Sequence, residues 1–188
     1  MGVKSALKRC TWMAGALLIS GGLYLGGLQL TGNFHEVHAG TLYRSAQPSA
    51  GDLADYAKRH GIRTVINLRG AHPNREWYDS EVAASKALGI THIDFAMSDG
   101  EELPLERSME LLALMRDAEK PLLIHCKAGA DRTGLASVMY LQQVAGVDEE
   151  RAEWQLSPIY GHLNIPLTRP YAMDKTWEQL EKDFGLPS

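Results

Sequence analysis

The stretch LLIHCKAGADRTGLAS, residues 122–137, decides how this chain is read. Pro121 to His125 is a short, mostly apolar run of strand length, and TGLASVMYLQQVAG, from Thr133 to Gly146, has helical spacing and a closing glycine. Between them lies a glycine-punctuated loop that holds one of the two cysteines of the chain, Cys126, with Arg132 six positions on. In an open α/β sheet, ligands bind outside the carboxyl ends of the strands. Cys126 therefore stands where chemistry is usually found.

The rest of the chain supplies the sheet. TLYRSAQ (41–47), RTVINLR (63–69) and THIDFAM (91–97) read as three further strands. Between and after them lie helices. SAGDLADYAKRHG (49–61) opens on a Ser-x-x-Asp capping pattern and closes on Gly61, and REWYDSEVAASKALG (75–89) closes on Gly89. PLERSMELLALMRDA (104–118) has Pro104 in its first turn, and DEERAEWQLS and YAMDKTWEQLEKDFG add two more helices near the end. Strands alternating with helices predict an α/β fold, a mostly parallel central sheet flanked by helices on both faces. Trp77, Trp154 and Trp177, all on helices, are expected in the core.

A loop that runs straight into a helix start aims several backbone N–H groups at one point, where the helix dipole adds positive potential. Gly129 lets that loop curl and Gly134 lets the helix pack closely. Arg132 can close the cradle with two parallel bonds to phosphate oxygens, a geometry lysine does not offer. The same field favours a thiolate at Cys126. The pattern is that of a nucleophile on the floor of a phosphate pocket.

HCKAGADRTG, with His125, Cys126, Gly129, Arg132, Thr133 and Gly134 in this order, resembles the signature of the cysteine-dependent protein tyrosine phosphatases. The size and spacing resemble the dual-specificity branch, and LYRSAQPS with VINLRG is similar to its bacterial and plant-fungal members. The resemblance covers roughly residues 41–145. It implies attack by Cys126 to give a phosphocysteine, stabilisation by Arg132 and the amides of His125, Lys127, Ala128, Gly129, Ala130, Asp131 and Gly134, and assistance to thiolate departure from Thr133. His125 is expected to order the loop. The family's general acid is an aspartate upstream of the cysteine, and two residues qualify: Asp99, just past a strand end, is preferred over Asp94, inside THIDFAM. Lys127 and Ala128 resemble the signature of phosphoinositide 3-phosphatases, but Ala130 stands where those enzymes carry a second basic residue. The implied partner is a phosphorylated protein, with a phospholipid or inositol phosphate headgroup as the alternative and a non-catalytic phosphate-binding module as a poorer reading. Arg44 and Arg69 follow or close strands and are weaker candidates for substrate contact. His60, His72, His92 and His162 show no metal-ligand spacing, so neither metal nor cofactor is expected, and the segment holding His162 and Asn164 reads as a plain loop.

From Cys10 to His35 there is no Asp, Glu, Lys or Arg. Residues 11–30, TWMAGALLISGGLYLGGLQL, are an apolar run of the ~20 residues that cross a bilayer. Lys4, Lys8 and Arg9 precede it, which predicts a cytoplasmic flank (1–10), a single membrane-spanning helix apart from the fold (11–30), a polar linker (31–40) and an exported catalytic domain (41–188). A cleaved signal peptide with a soluble exported domain is the alternative, since VHA at 37–39 resembles a cleavage site. That topology keeps Cys10 and Cys126 from forming a disulfide. The three early cations belong to a net charge of −4, so the remainder carries −7, which argues against a nucleic-acid binder and against a domain held flat on anionic lipid by charge.

Overall fold

The computed structural model describes residues 2–186. Five strands, β1 (His35–His38), β2 (Leu42–Ser45), β3 (Thr64–Asn67), β4 (Thr91–Asp94) and β5 (Leu122–His125), form one sheet in the order β1-β2-β5-β3-β4. The β2, β5, β3 and β4 pairings are parallel and β1 runs antiparallel on the edge. Around the sheet lie α2 (Ala50–His60), α3 (Glu76–Leu88), α4 (Leu105–Asp117), α5 (Asp131–Gln143), α6 (Glu149–Glu153) and α7 (Tyr171–Phe184), with α1 (Gly2–Leu30) before it.

Strand alternation divides the core in two. Leu42, Ile66, Leu122 and Ile124 point to one face, where Leu111 and Met115 of α4, Val138 and Met139 of α5, and Met173 and Trp177 of α7 cover them. Tyr43, Val65 and Leu123 point to the other, against Leu53 of α2 and Ala84 of α3. The caps read from the sequence are present. Ser49 Oγ accepts from the Asp52 amide while Asp52 Oδ2 accepts from the Ser49 amide, and Gly61 and Gly89 close α2 and α3 in left-handed conformation.

Three expectations need correction. The segment 31–40, expected as a linker, contains β1. HEVH has no apolar run to announce a strand, because an edge strand keeps one rim in water and carries polar residues there. Glu36 Oε1 accepts from Tyr43 Oη of β2 at 3.0 Å and from the Gly40 amide at 2.8 Å, which fixes the turn. Of the tryptophans expected in the core, Trp154 is exposed, because α6 stops at Glu153 and does not carry it inward, and Trp77 is only half-buried, its ring lying under the Arg69 guanidinium at the molecular surface. The apolar helix is not wholly apart from the fold either. Thr11–Leu30 is long and apolar enough to cross a membrane, yet its last turns pack on the domain: Leu28 is buried, and Tyr24 Oη donates to the Ile159 carbonyl at 2.6 Å.

Register places the site. Ser45, His125 and Asn67 lie side by side at the carboxyl ends of β2, β5 and β3, and Asn67 pairs with Asp94 of β4. The chain leaves all four strands along one edge, so Gln47, Cys126, Arg69 and Asp99 emerge together there.

Candidate active site

Cys126 follows β5, is a free thiol and is only 2% exposed. The loop from Cys126 to Arg132 runs into α5, which begins at Asp131. Its carbonyls are tied down from outside. Lys127 O accepts from the Gln47 amide at 3.3 Å, and Ala128 O from Asn33 Nδ2 at 3.0 Å and Gln29 Nε2 at 3.2 Å. Gly129 O and Ala130 O accept from Arg44 Nη2 at 2.8 and 3.1 Å. With the carbonyls turned outward, the loop amides face the other way. Among the described residues the N–H groups of Lys127 to Arg132 donate to no backbone carbonyl. An arc of unspent donors at a helix N-terminus is an anion cradle.

Glycine is required at two points of this arc. Gly129 has φ +69, and a Cβ there would lie 2.5 Å from the Ala46 nitrogen. At Gly134 a Cβ would lie 2.7 Å from Leu156 Cδ1 and 2.9 Å from Gln155 O, so α5 would be pushed off the segment beneath it.

Arg132 reaches across the strand ends, with Nη1 near Met97 O at 3.3 Å and Leu68 O at 3.5 Å. Its buried Nε and the buried Oγ1 of Thr133 have no hydrogen-bond partner among the described residues. Lys127 is exposed, Ala128 and Asp131 are half-buried, and Ala130 is buried. Arg69 adds positive charge: its guanidinium stacks 3.4 Å over Trp77, donates to Gln47 Oε1 at 2.7 Å, and has its pKa lowered by burial and by the charge of Arg132.

Of the two candidate acids, Asp99 lies in the field of Arg132. Arg169 Nη2 donates to Asp99 Oδ1 at 2.8 Å, and that bond, with a lesser contribution from the charge of Arg132, holds the carboxyl below its ordinary range although burial pushes the other way. Asp94 is committed elsewhere: its oxygens accept from Asn67 Nδ2 at 2.9 Å and from Tyr78 Oη at 2.6 Å. This bond to Asp94, with burial, pushes the Tyr78 phenol up to about 12. An acidic trio, Glu149, Glu153 and Glu181, belongs to α6 and α7 rather than to the loop.

Three residues around the loop escaped the sequence reading. Arg44, read as a strand-end residue, is fully buried. It clamps the loop from below, also donates to Gln155 O at 2.7 Å, and lies 4.1 Å under the Tyr160 ring; burial brings its pKa down to about 10. The signal was an arginine sharing the inward face of β2 with Leu42. His162, read in a plain loop, is buried between Asp131 of the loop, at 2.8 Å, and Asp174 of α7, at 3.0 Å. Glu81 is buried on α3 and accepts from His125 Nε2 at 2.8 Å, from His92 Nε2 at 2.9 Å and from Gln47 Nε2. Its signal was the spacing Trp77, Glu81, Ser85, a carboxylate on the inward stripe of a helix.

Burial by itself pushes the Glu81 carboxyl up, but the hydrogen bonds from His125 and His92, the charge of His125 and the bond from Gln47 hold it down at about 2. A carboxylate with a folded pKa below its unfolded one contributes stability that is complete above about pH 4.5 and is lost as pH falls toward 2. Glu81→Gln cannot accept all three donors with its amide end. It should cost about 2–3 kcal/mol at pH 7 in urea unfolding, and the gap to the parent should close between about pH 4.5 and 2. A gap unchanged with pH would mean that Glu81 acts by shape alone.

Comparison with known proteins agrees with this geometry. Residues 24–186 match the model of the tyrosine phosphatase family. The dual specificity protein phosphatase TpbA of Pseudomonas aeruginosa is 35% identical over 113 residues, 60% of this chain and 48% of that protein, so the chain spans about half the length of this curated relative. The crystal structure of P. aeruginosa TpbA superposes with a TM-score of 0.64 at 24% identity, covering 82% of this chain and 88% of that one. The core catalytic domain of the PP-IP phosphatase SIW14 from S. cerevisiae, in complex with citrate, superposes with a TM-score of 0.60 at 19% identity, covering 82% and 94%. These two likenesses are of fold. Family membership rests on the matched 24–186, which include the whole strand, loop and helix around Cys126, and on that ground the chain belongs to the tyrosine phosphatase family.

Proposed function

We propose that this protein hydrolyses phosphate monoesters through a phosphocysteine intermediate, with phosphotyrosine in proteins as the favoured substrate. The observation that carries the reading is the outward tethering of four successive loop carbonyls, those of residues 127–130, which turns the amides of residues 128–131 to the opposite side and leaves them without a backbone acceptor beside Cys126. A phosphoryl group bound there meets the amides and the Arg132 fork on its equatorial oxygens, where charge concentrates in the transition state. The Cys126 thiolate forms the S–P bond as the P–O bond to the leaving group breaks, and Asp99, once released from its bond to Arg169 and protonated, gives that oxygen its proton. Water then attacks phosphorus, returns a proton to Asp99 and releases phosphate, while the Thr133 hydroxyl supports the departing thiolate. A TpbA variant has been crystallised in complex with phosphotyrosine, which supports that choice of substrate. Phosphopeptides assayed beside phosphoinositides and phosphatidylglycerol phosphate test it: faster turnover of any lipid would transfer the activity to headgroups.

Asp99→Asn separates the proton donor from the rest. Turnover of alkyl phosphates, whose alkoxides leave poorly, should fall about 10²–10⁴-fold, and that of para-nitrophenyl phosphate by less than about tenfold. Equal losses on both would remove Asp99 from the role, and the same pattern from Asp94→Asn would move the role there.

The proposed location follows from α1. Thr11–Leu30 spans the membrane, the basic flank remains in the cytoplasm, and the catalytic domain is exported. Protease added to intact spheroplasts should digest the domain; digestion only after lysis would place it in the cytoplasm.

A further inference from the structure

The final turns of α1 are held by one segment of the domain. Tyr24 Oη bonds the Ile159 carbonyl at 2.6 Å, and a Cβ on Gly161 would touch Leu25 Cδ2 at 3.7 Å and Leu28 Cδ1 at 3.6 Å. Helical residues rise 1.5 Å each and their side chains tilt toward the N-terminus, so Tyr24 meets Ile159 about 9 Å below Leu30. If 11–30 crosses a bilayer, residues 159–161 lie beneath the level at which the helix leaves it.

The chain around that contact has the composition this depth demands. From Trp154 to Met173 there is no Asp or Glu. Residues 163–169, LNIPLTR, are all exposed, and they present Leu163, Ile165 and Leu167 together with Ile159. Leu167 is 103% exposed and has φ +70. The left-handed backbone turns the whole Leu167 side chain outward, and with Ile159, Leu163 and Ile165 it adds to one exposed apolar run whose cost in water a non-aqueous phase would remove.

We propose that the 159–167 segment is a second membrane contact, an apolar loop that enters the headgroup and upper acyl region beside α1 and fixes the catalytic domain against the bilayer. This rests on the reading of α1 as a membrane span. The occupant is lipid because the patch is continuous with the helix end that leaves the membrane, at the depth where interfacial apolar residues insert, about 5–10 Å. Two residues beyond this segment Arg169 is bonded to Asp99, so the bilayer-facing loop leads directly to the candidate acid. The pocket then opens close to the lipid surface, and substrates carried there are the ones it meets most often.

The test uses the full chain in vesicles of phosphatidylcholine and phosphatidylglycerol, with Cys10→Ser and Cys126→Ser as background. Nitroxide labels go one at a time on Leu18→Cys in the span, Ile165→Cys and Leu167→Cys in the loop, and Lys86→Cys on α3, which packs against β4 at the sheet edge opposite β1. Relaxation by oxygen against a water-soluble nickel chelate reads depth. The expected order is Leu18 deepest, Ile165 and Leu167 at headgroup depth, and Lys86 in water. Leu18 deep with Ile165 and Leu167 as aqueous as Lys86 overturns the loop contact and leaves the anchor standing. Leu18 in water overturns the anchor and the loop contact together. Shielding of Ile165 and Leu167 from both reagents that grows with the protein-to-lipid ratio assigns the patch to a second copy of the chain and overturns the lipid contact.

Discussion

Cys126→Ser lowers kcat/KM for para-nitrophenyl phosphate by at least about 10⁴-fold and leaves the fold and the affinity for inorganic phosphate in place. The substitution changes one atom on the floor of a loop that other residues hold. Arg44, Asn33 and Gln29 still tie the loop carbonyls outward, Gly129 still makes the turn against Ala46, and Arg132 still crosses the strand ends. The cradle therefore persists, and with it phosphate binding. What is lost is the nucleophile, because a serine hydroxyl at this position is not ionised near neutrality as a thiolate can be. Three measurements separate these parts: steady-state kinetics, phosphate titration by calorimetry, and the melting temperature. Acid-quenched parent enzyme should carry one phosphoryl group by mass, and the variant none. Activity within tenfold of the parent would refute the covalent mechanism outright.

The loop was legible in the sequence because its parts are consecutive. Strand, cysteine, glycines, arginine and helix follow one another within 122–137, and local conformation alone brings them together. The parallel strands and the caps at Ser49, Gly61 and Gly89 were legible for the same reason: each is a pattern a few residues long. The supports of the loop were not. Arg44 meets Gly129 85 positions later, Glu81 meets His125 44 positions later, and Asp131 meets His162 31 positions later. Such partners are chosen by sheet order and helix placement, which no local pattern encodes. A buried arginine, glutamate or histidine also looks, in one sequence, like any surface charge. Strand β1 was missed for a related reason, since its polar edge residues mimic a linker. The docking of α1 was hidden because an apolar run announces lipid more strongly than it announces protein.

Removing the His162 bridge gives the largest expected change in stability and its clearest pH signature. The imidazole is buried between the carboxylates of Asp131 and Asp174, and so links the first turn of α5 to α7. Burial alone would push its pKa down, but the hydrogen bonds and charges of Asp131 and Asp174 outweigh it and raise it to about 9. A folded-state pKa above the unfolded value of 6.5 means that the bridge contributes in full below about pH 6.5 and loses its contribution as pH climbs through 9. At ~1.4 kcal/mol per pKa unit, discounted for partial solvent screening, the parent should lose about 2–3 kcal/mol of unfolding free energy across that window. The measurement is best made in the Cys126→Ser background, where the active-site thiol cannot oxidise at alkaline pH. His162→Gln keeps a hydrogen bond to one aspartate but carries no charge, leaving the other carboxylate buried without a cation. It should begin about 3 kcal/mol less stable at pH 6.5 and show no such decline toward pH 9. With Asp131 no longer neutralised in the first turn of α5, its charge opposes an incoming phosphate, so with Cys126 intact His162→Gln should raise KM for phosphate esters more than it lowers kcat. Parallel pH profiles in the two proteins would assign the alkaline loss to some other group and reduce His162 to packing.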